Sequence, residues 1–195
     1  MSPEITTRPA RKADASEIAL LVIIAVHGGM ARAWAHDERA EGTYEPLEVG
    51  RLDMMDDAEF GWRSVTMAEV DGEVAGMLLG YREPDVAGPI PTNQPAFMRP
   101  INELEAVAAG TWFISMLGVH IGWRGKGIGS QLLDVAEVKS AETKAHGLAL
   151  IVEDVNARAR RLYERHGYSV RTSRPMVKYP DGTAPGEDWL LMVKD

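Results

Sequence analysis

Arg124-Gly125-Lys126-Gly127-Ile128-Gly129-Ser130 stands between an apolar run, Trp112-Phe113-Ile114-Ser115-Met116-Leu117-Gly118-Val119, and an amphipathic one. The apolar run reads as a buried strand. After the turn, Ile128, Leu132, Val135 and Ala136 recur at i, i+4, i+7 and i+8, the face of a helix. A glycine turn at a helix start aims several backbone N–H groups one way with no Cβ in front of them. Unpaired N–H groups and the helix dipole together suit phosphate. Arg124 and Lys126 add positive charge beside it. Two common glycine motifs are excluded by spacing. Lys126 is followed by Gly127 rather than Ser or Thr, unlike a Walker A loop, and Leu132 fills the third glycine's place in the dinucleotide fingerprint.

Outward from this turn the chain alternates. On the N-terminal side, Ile5 to Ala10 suits a first strand, and Asp14 with Glu17 three residues on resembles a capping box that opens a helix to about His27, ended by Gly28-Gly29. Residues 30 to 60 read as a second helical region broken around Gly42 to Pro46. Arg63 to Val70 and Glu73 to Tyr81 are β-rich runs joined by Asp71-Gly72, the two-residue link of a hairpin. Residues 82 to 110, with prolines at 84, 89, 91, 95 and 100, form a long connection in which Asn102 to Ala109 suits a short helix. Beyond the glycine turn, Leu148 to Val152 reads as a buried parallel strand and Asn156 to His166 as a helix closed by Gly167. Tyr168 to Thr172 and Trp189 to Val193 supply two final strands. Alternating strands and helices after a hairpin imply a mixed α/β sheet.

One strand after the glycine turn stands Asn156-Ala157-Arg158-Ala159-Arg160-Arg161-Leu162-Tyr163-Glu164-Arg165-His166-Gly167-Tyr168. Together the two stretches resemble the GNAT superfamily of acyl-CoA-dependent N-acetyltransferases. The family's acetyl-CoA loop, Arg/Gln-x-x-Gly-x-Gly/Ala, is met by Arg124, Gly127 and Gly129. Its following helix, Asn-x-x-Ala-x-x-Leu-Tyr-Glu-x-x-Gly-Phe/Tyr, is met by Asn156, Ala159, Leu162, Tyr163, Glu164, Gly167 and Tyr168. The resemblance is sharpest over residues 111 to 172. It implies one N-acetyltransferase domain over residues 1 to 195. The implied fold is a GNAT α/β (α+β) one: a central mixed, mostly antiparallel sheet of six to seven strands, flanked by helices, with a splayed parallel pair at the acetyl-CoA site.

The resemblance also implies roles. Backbone amides of Gly125, Lys126, Gly127, Ile128, Gly129 and Ser130, with Arg124 beside them, would hold the pyrophosphate of coenzyme A. Backbone groups of Leu117 and Val119 would pair with the pantetheine arm, Gly118 would suit a β-bulge between them, and Asn156 would bond the pantetheine or acyl region. Direct attack of an amine on a thioester releases a thiolate that must gain a proton, and Tyr163 is the implied acid. The Val119 N–H is the implied donor to the developing oxyanion. Acetyl-CoA enters as cosubstrate, no metal is implied, and a homodimer is compatible with the family.

The general base stays open. The family often carries a glutamate six residues before the loop's valine, and Phe113 stands there. Glu103, Glu105 or no dedicated base are the alternatives, with Ser115 a poor one. His120 reads as a surface residue, and His27, His36, His146 and His166 as structural. Around the amine acceptor, Trp34, Trp62, Met54, Met55, Phe97 and Met98 offer apolar walls, and Asp53, Asp56, Asp57, Glu103 and Glu105 offer carboxylates; for most of them core packing and a solvated acidic face are the simpler readings.

Bulk composition fits these readings. The chain has 195 residues, 45% hydrophobic and 26% charged, enough for a substantial core. With no cysteine there is no disulfide, thiolate metal site or cysteine nucleophile, which agrees with a cytoplasmic location. A net charge of −8 argues against nucleic acid as a partner, and the most apolar segment, Ile18 to Val26, is too short to span a membrane. Two rival readings remain: a non-catalytic acyl-CoA sensor or partner-dependent module of the same fold, and a nucleotide-binding protein that uses the glycine turn.

Overall fold

A computed structural model describes residues 4–26, 29–35, 45–56 and 60–195. Among the described residues seven strands form one sheet: β1 (Ile5–Pro9), β2 (Val65–Val70), β3 (Glu73–Arg82), β4 (Trp112–Val119), β5 (Leu148–Glu153), β6 (Ser169–Pro175) and β7 (Asp188–Lys194). Their order is β1-β2-β3-β4-β5-β7-β6. β4 and β5 run parallel, with Trp112 opposite Leu148 and Ile114 opposite Leu150, while β1–β2, β2–β3, β5–β7 and β6–β7 are antiparallel. The sheet is therefore mixed and mostly antiparallel, as the sequence implied. Among the described residues six helices accompany it: α1 (Ala15–Ala25), α2 (Gly29–Ala35), α3 (Pro46–Met54), α4 (Arg99–Val107), α5 (Ile128–Glu142) and α6 (Ala157–Arg165).

By packing, the chain forms two compact units, Met1–Tyr81 with Met116–Asp134, and Arg82–Ser115 with Val135–Asp195. The first buries Ile18, Leu21 and Val22 of α1 with Met67, Met77 and Leu79 of the β2–β3 hairpin. That hairpin turns on Asp71 at φ 52° and Gly72 at φ 83°, the paired positive φ of a type I′ turn. The second buries Leu104 of α4 and the β4, β5 and β7 residues Phe113, Ile114, Ala149, Leu150, Leu191 and Met192.

The structure departs from the sequence reading at the start of α1. Asp14 ends a 3-10 turn, Lys12–Asp14, and makes no side-chain cap to α1. Its carboxylate is taken by the Arg8 guanidinium at 2.7 Å and by the Arg11 N–H at 2.6 Å. Arg8 beside it holds the Asp14 carboxyl below the usual carboxylate range. No capping box therefore forms with Glu17. α1 ends at Ala25 and Gly29 opens α2 instead of closing a helix. His27, Gly28, His36, Gly42 and Asp57 lie outside the described residues. In the long connection the helix begins three residues earlier than predicted, at Arg99, with Pro100 in its first turn, where a missing N–H costs no hydrogen bond.

Candidate active site

In the first unit, β4 ends at Val119 and a short 3-10 turn, Ile121–Trp123, leads into the glycine turn. Gly125 and Gly127 stand at φ 80° and 91°, which a Cβ would resist. Gln131 N–H donates to the Gly127 carbonyl at 3.0 Å, so Gly127 is the first acceptor of α5 and the N–H groups of Ile128, Gly129 and Ser130 have no acceptor within the helix. Residues 124–127 are exposed, while Ile128 is buried and anchors the helix start. Among the described residues a Cβ at Gly127 would meet only Ile5 Cδ1 within 4 Å, at 3.8 Å. These features fit a polyanion held by main-chain amides. The two cations are partly engaged: Arg124 Nε donates to the Val119 carbonyl at 3.2 Å, and Lys126 Nζ lies 4.3 Å from the centre of the Trp123 ring.

Leu117 and Val119 are half-buried and Gly118 is buried. A Cβ on Gly118 would stand 2.6 Å from the Leu21 carbonyl oxygen, and one on Gly76 would stand 2.7 Å from the Gly118 carbonyl oxygen. Close backbone approach is thus what Gly118 provides. His120 is not the surface residue that its position suggested. Its Nε2 stands 2.5 Å from Glu17 Oε1 of α1, and its N–H donates to the Ala75 carbonyl at 3.0 Å. The two partners are 103 residues apart, so no local signal announces the pair.

In the second unit, Asn156 caps α6: its Oδ1 accepts from the Ala159 N–H at 3.2 Å, and its Nδ2 donates to Glu153 Oε2 at 3.3 Å. Both ends of the side chain are therefore used within the chain, a cap role that the sequence expectation of a pantetheine contact did not include. Tyr163 is buried, 8% exposed, with its ring 5.9 Å from that of Tyr168. Burial, and then the charge of Glu153, push the Tyr163 phenol well above the ordinary range, so it stays protonated through physiological pH. Glu153 is itself buried and was missed by sequence reasoning, because its role depends on burial and on Asn156.

The two base candidates separate electrostatically. Glu103 pairs with Arg99 at 3.0 Å and Arg174 at 3.1 Å, and these cations hold its carboxyl below its usual range. Glu105 is pushed up to about 7 by burial and then by the charge of Glu83. Several expected acceptor walls serve packing. Trp34 and Met54 are core residues; the Trp34 ring lies over Gly50, and its Nε1 donates to Asp53 at 2.9 Å. Phe97 meets Tyr179 edge-on at 5.2 Å, and Arg63 lies over Trp62 at 4.5 Å.

Residues 30–168 match the acetyltransferase (GNAT) family, and the chain belongs to that family. No curated protein matches it at the sequence level. Its fold is similar to those of an N-acetyltransferase from Staphylococcus aureus Mu50 (15% identity, TM-score 0.60, covering 97% of this chain and 100% of that one) and Ard1 from Thermoplasma volcanium (18%, 0.59, 97% and 96%). It is also similar to Arabidopsis thaliana Naa50 in complex with the bisubstrate analogue CoA-Ac-MVNAL (16%, 0.57, 100% and 99%).

Proposed function

We propose that this GNAT acetyltransferase moves an acetyl group from acetyl-CoA to a primary amine of a small molecule or peptide by direct attack. The observation that carries the reading is the α5 entrance: positive-φ glycines at 125 and 127, followed by helix N–H groups without intrahelical acceptors. In this reading the main-chain amides from Gly125 to Ser130 bind the pyrophosphate, and the backbone of Leu117 and Val119 orients the pantetheine arm. Arg124 and Lys126 add charge at the same turn. Support for the donor comes from Naa50, whose bound analogue joins CoA, an acetyl group and a peptide. Acetyl-CoA supplies an activated acyl group whose sulfur leaves once the acceptor nitrogen bonds to the acyl carbon.

Tyr163 is the proposed acid. Its O–H proton goes to the departing sulfur, while the acceptor nitrogen loses one proton, so amide and thiol form with balanced atoms. For the second proton, Glu105 is the favoured base, since its proton affinity lies near neutral pH whereas ion pairs tie up Glu103. A non-catalytic acyl-CoA sensor has no observation in its favour beyond the shared fold. Calorimetry with coenzyme A, ATP and NAD, run beside thiol release from acetyl-CoA, tests the reading. Coenzyme A is expected to bind and the two nucleotides not to. Tight ATP or NAD binding without coenzyme A affinity overturns it.

A further inference from the structure

His120 follows β4 directly and stays extended, at φ −53° and ψ 142°. Among the described residues it is held at three points, each by a different element of the first unit. Its N–H donates to the Ala75 carbonyl of β3 at 3.0 Å, and its carbonyl accepts from the Trp123 N–H at 2.9 Å, just before the glycine turn. Its Nε2 stands 2.5 Å from Glu17 Oε1 in the first turn of α1. A carboxylate only accepts, so Nε2 is the donor. The two main-chain bonds would form with any residue but proline at 120. Only the third depends on the side chain. Leu21 lies four residues along α1 from Glu17, on the same helix face. Its carbonyl stands against Gly118, two residues before His120 and on the same side of the extended chain. α1 thus meets the end of β4 at two contacts in step, Glu17 with His120 and Leu21 with Gly118. Close approach at Gly118 sets how near the helix lies but carries no direction. A hydrogen bond is directional, and this one joins side chains only 38% and 23% exposed. Val119 lies between the two contacts.

We propose that His120 is a positioning residue for acetyl transfer: through Glu17 it locks the Val119 peptide against α1, so that the acyl arm lies in one orientation for the attacking amine. The inference rests on the reading of the Val119 backbone as a contact of the pantetheine arm. A rigid imidazole gives the link a fixed reach, which the flexible stem of a lysine would not. Fixed orientation matters because a small misplacement of reacting groups costs rate steeply. The main-chain amides proposed for the pyrophosphate begin at Gly125, beyond the turn at Ile121–Trp123, so affinity for coenzyme A rests mainly on other contacts.

The test compares acetyl transfer and coenzyme A affinity in the full chain for Glu17→Ala, Glu17→Gln, His120→Ala and the double alanine variant. Alanine is the best helix former, so Glu17→Ala leaves α1 intact. Each alanine variant is expected to lower kcat about 10- to 100-fold while the coenzyme A Kd stays nearly constant. Glu17→Gln keeps an acceptor for Nε2 and is expected to retain most of the wild-type kcat. The double variant is expected to be no slower than either single one, since each already breaks the same link. Unchanged kcat in the folded alanine variants, or losses that multiply in the double variant, overturn the proposal. So does a glutamine variant as slow as the alanine one. A second readout needs no turnover: in the free protein the Val119 amide resonance is expected to shift in Glu17→Ala and to move far less in Glu17→Gln. An unmoved resonance in Glu17→Ala overturns the proposal. The expected shift in a protein that transfers no acetyl group upholds the positioning of Val119 and overturns the enzymatic reading instead, so the two failures are distinct.

Discussion

The carbonyl oxygen of Leu21 in α1 lies 2.6 Å from the point where a Cβ on Gly118 would stand. No real Cβ tolerates that approach, and the obstacle is helix backbone, which has no rotamer to change. Gly118→Ala is therefore expected to push α1 off the end of β4 and to cost about 1–3 kcal/mol by urea denaturation. Gly122→Ala, where a Cβ meets nothing within 4 Å, is the control and is expected to stay within about 0.5 kcal/mol of the parent. Equal stability of the two variants would contradict the close approach.

The Tyr168 hydroxyl is buried and has no hydrogen-bond partner among the described residues. A buried polar group without a partner is a net cost. Tyr168→Phe is accordingly expected to leave stability unchanged or to raise it by up to about 1 kcal/mol. Thermal melts of the two proteins decide this, and a clear loss in the variant would show that the hydroxyl is bonded after all.

Glu105 gives a pH dependence of definite sign. Its carboxyl is raised from 4.5 to about 7 in the folded chain. Between those values the folded state holds more protons than the unfolded one, so stability falls as pH rises through the window and the full penalty is present above it. The penalty is on the order of 3 kcal/mol. Glu105→Gln removes it, so the variant is expected to be more stable than the parent at pH 8 and to match it at pH 4. A stability difference independent of pH would refute the shift.

Asn156 is predicted to act as a helix cap whatever it does toward a ligand. Asn156→Ala is expected to cost about 1 kcal/mol through loss of the cap. Asn156→Asp keeps the cap but sets a second carboxylate against Glu153, and it is expected to recover only part of that loss at neutral pH. Full recovery by aspartate would mean that the Asn156–Glu153 contact contributes nothing.

Tyr163→Phe removes only the hydroxyl. As the proposed acid it is expected to lower kcat about 10²–10⁴-fold while the coenzyme A Kd stays nearly constant. Single-turnover kinetics separate chemistry from product release, and an unchanged chemical step would remove Tyr163 from the mechanism.

What the sequence disclosed was local in its physics. Asp71-Gly72 announced its hairpin because two consecutive positive-φ positions admit few residue pairs. Gly167 marked the end of α6 for the same kind of reason, a left-handed stop at φ 87°. The start of α1 misled because Asp14, a sound N-cap on composition, is claimed by Arg8 and by the Arg11 N–H. That competition depends on where β1 is held, which no window around Asp14 contains.

The site divides in the same way. The glycine turn and the Asn156 to Tyr168 stretch were legible as motifs, since main-chain geometry there dictates the residue types. The pairing of His120 with Glu17, the burial of Glu153 and the contrast between Glu103 and Glu105 were not, because each depends on groups brought together from distant parts of the chain. Trp34 shows the limit from the other side. Offered as a cleft wall with core packing as the simpler reading, it packs over Gly50, a partner that the tertiary fold chooses and the sequence does not name.

The central claim, acetyl transfer to an amine, is tested most directly by mass spectrometry of acceptors incubated with acetyl-CoA and the wild-type protein. The panel spans polyamines, amino acids, aminoglycosides and N-terminal peptides, with thiol release followed in the same samples. At least one primary amine is expected to gain a single acetyl group on nitrogen, in step with free coenzyme A. Coenzyme A binding with no acetylated acceptor and no accelerated thiol release would contradict the account.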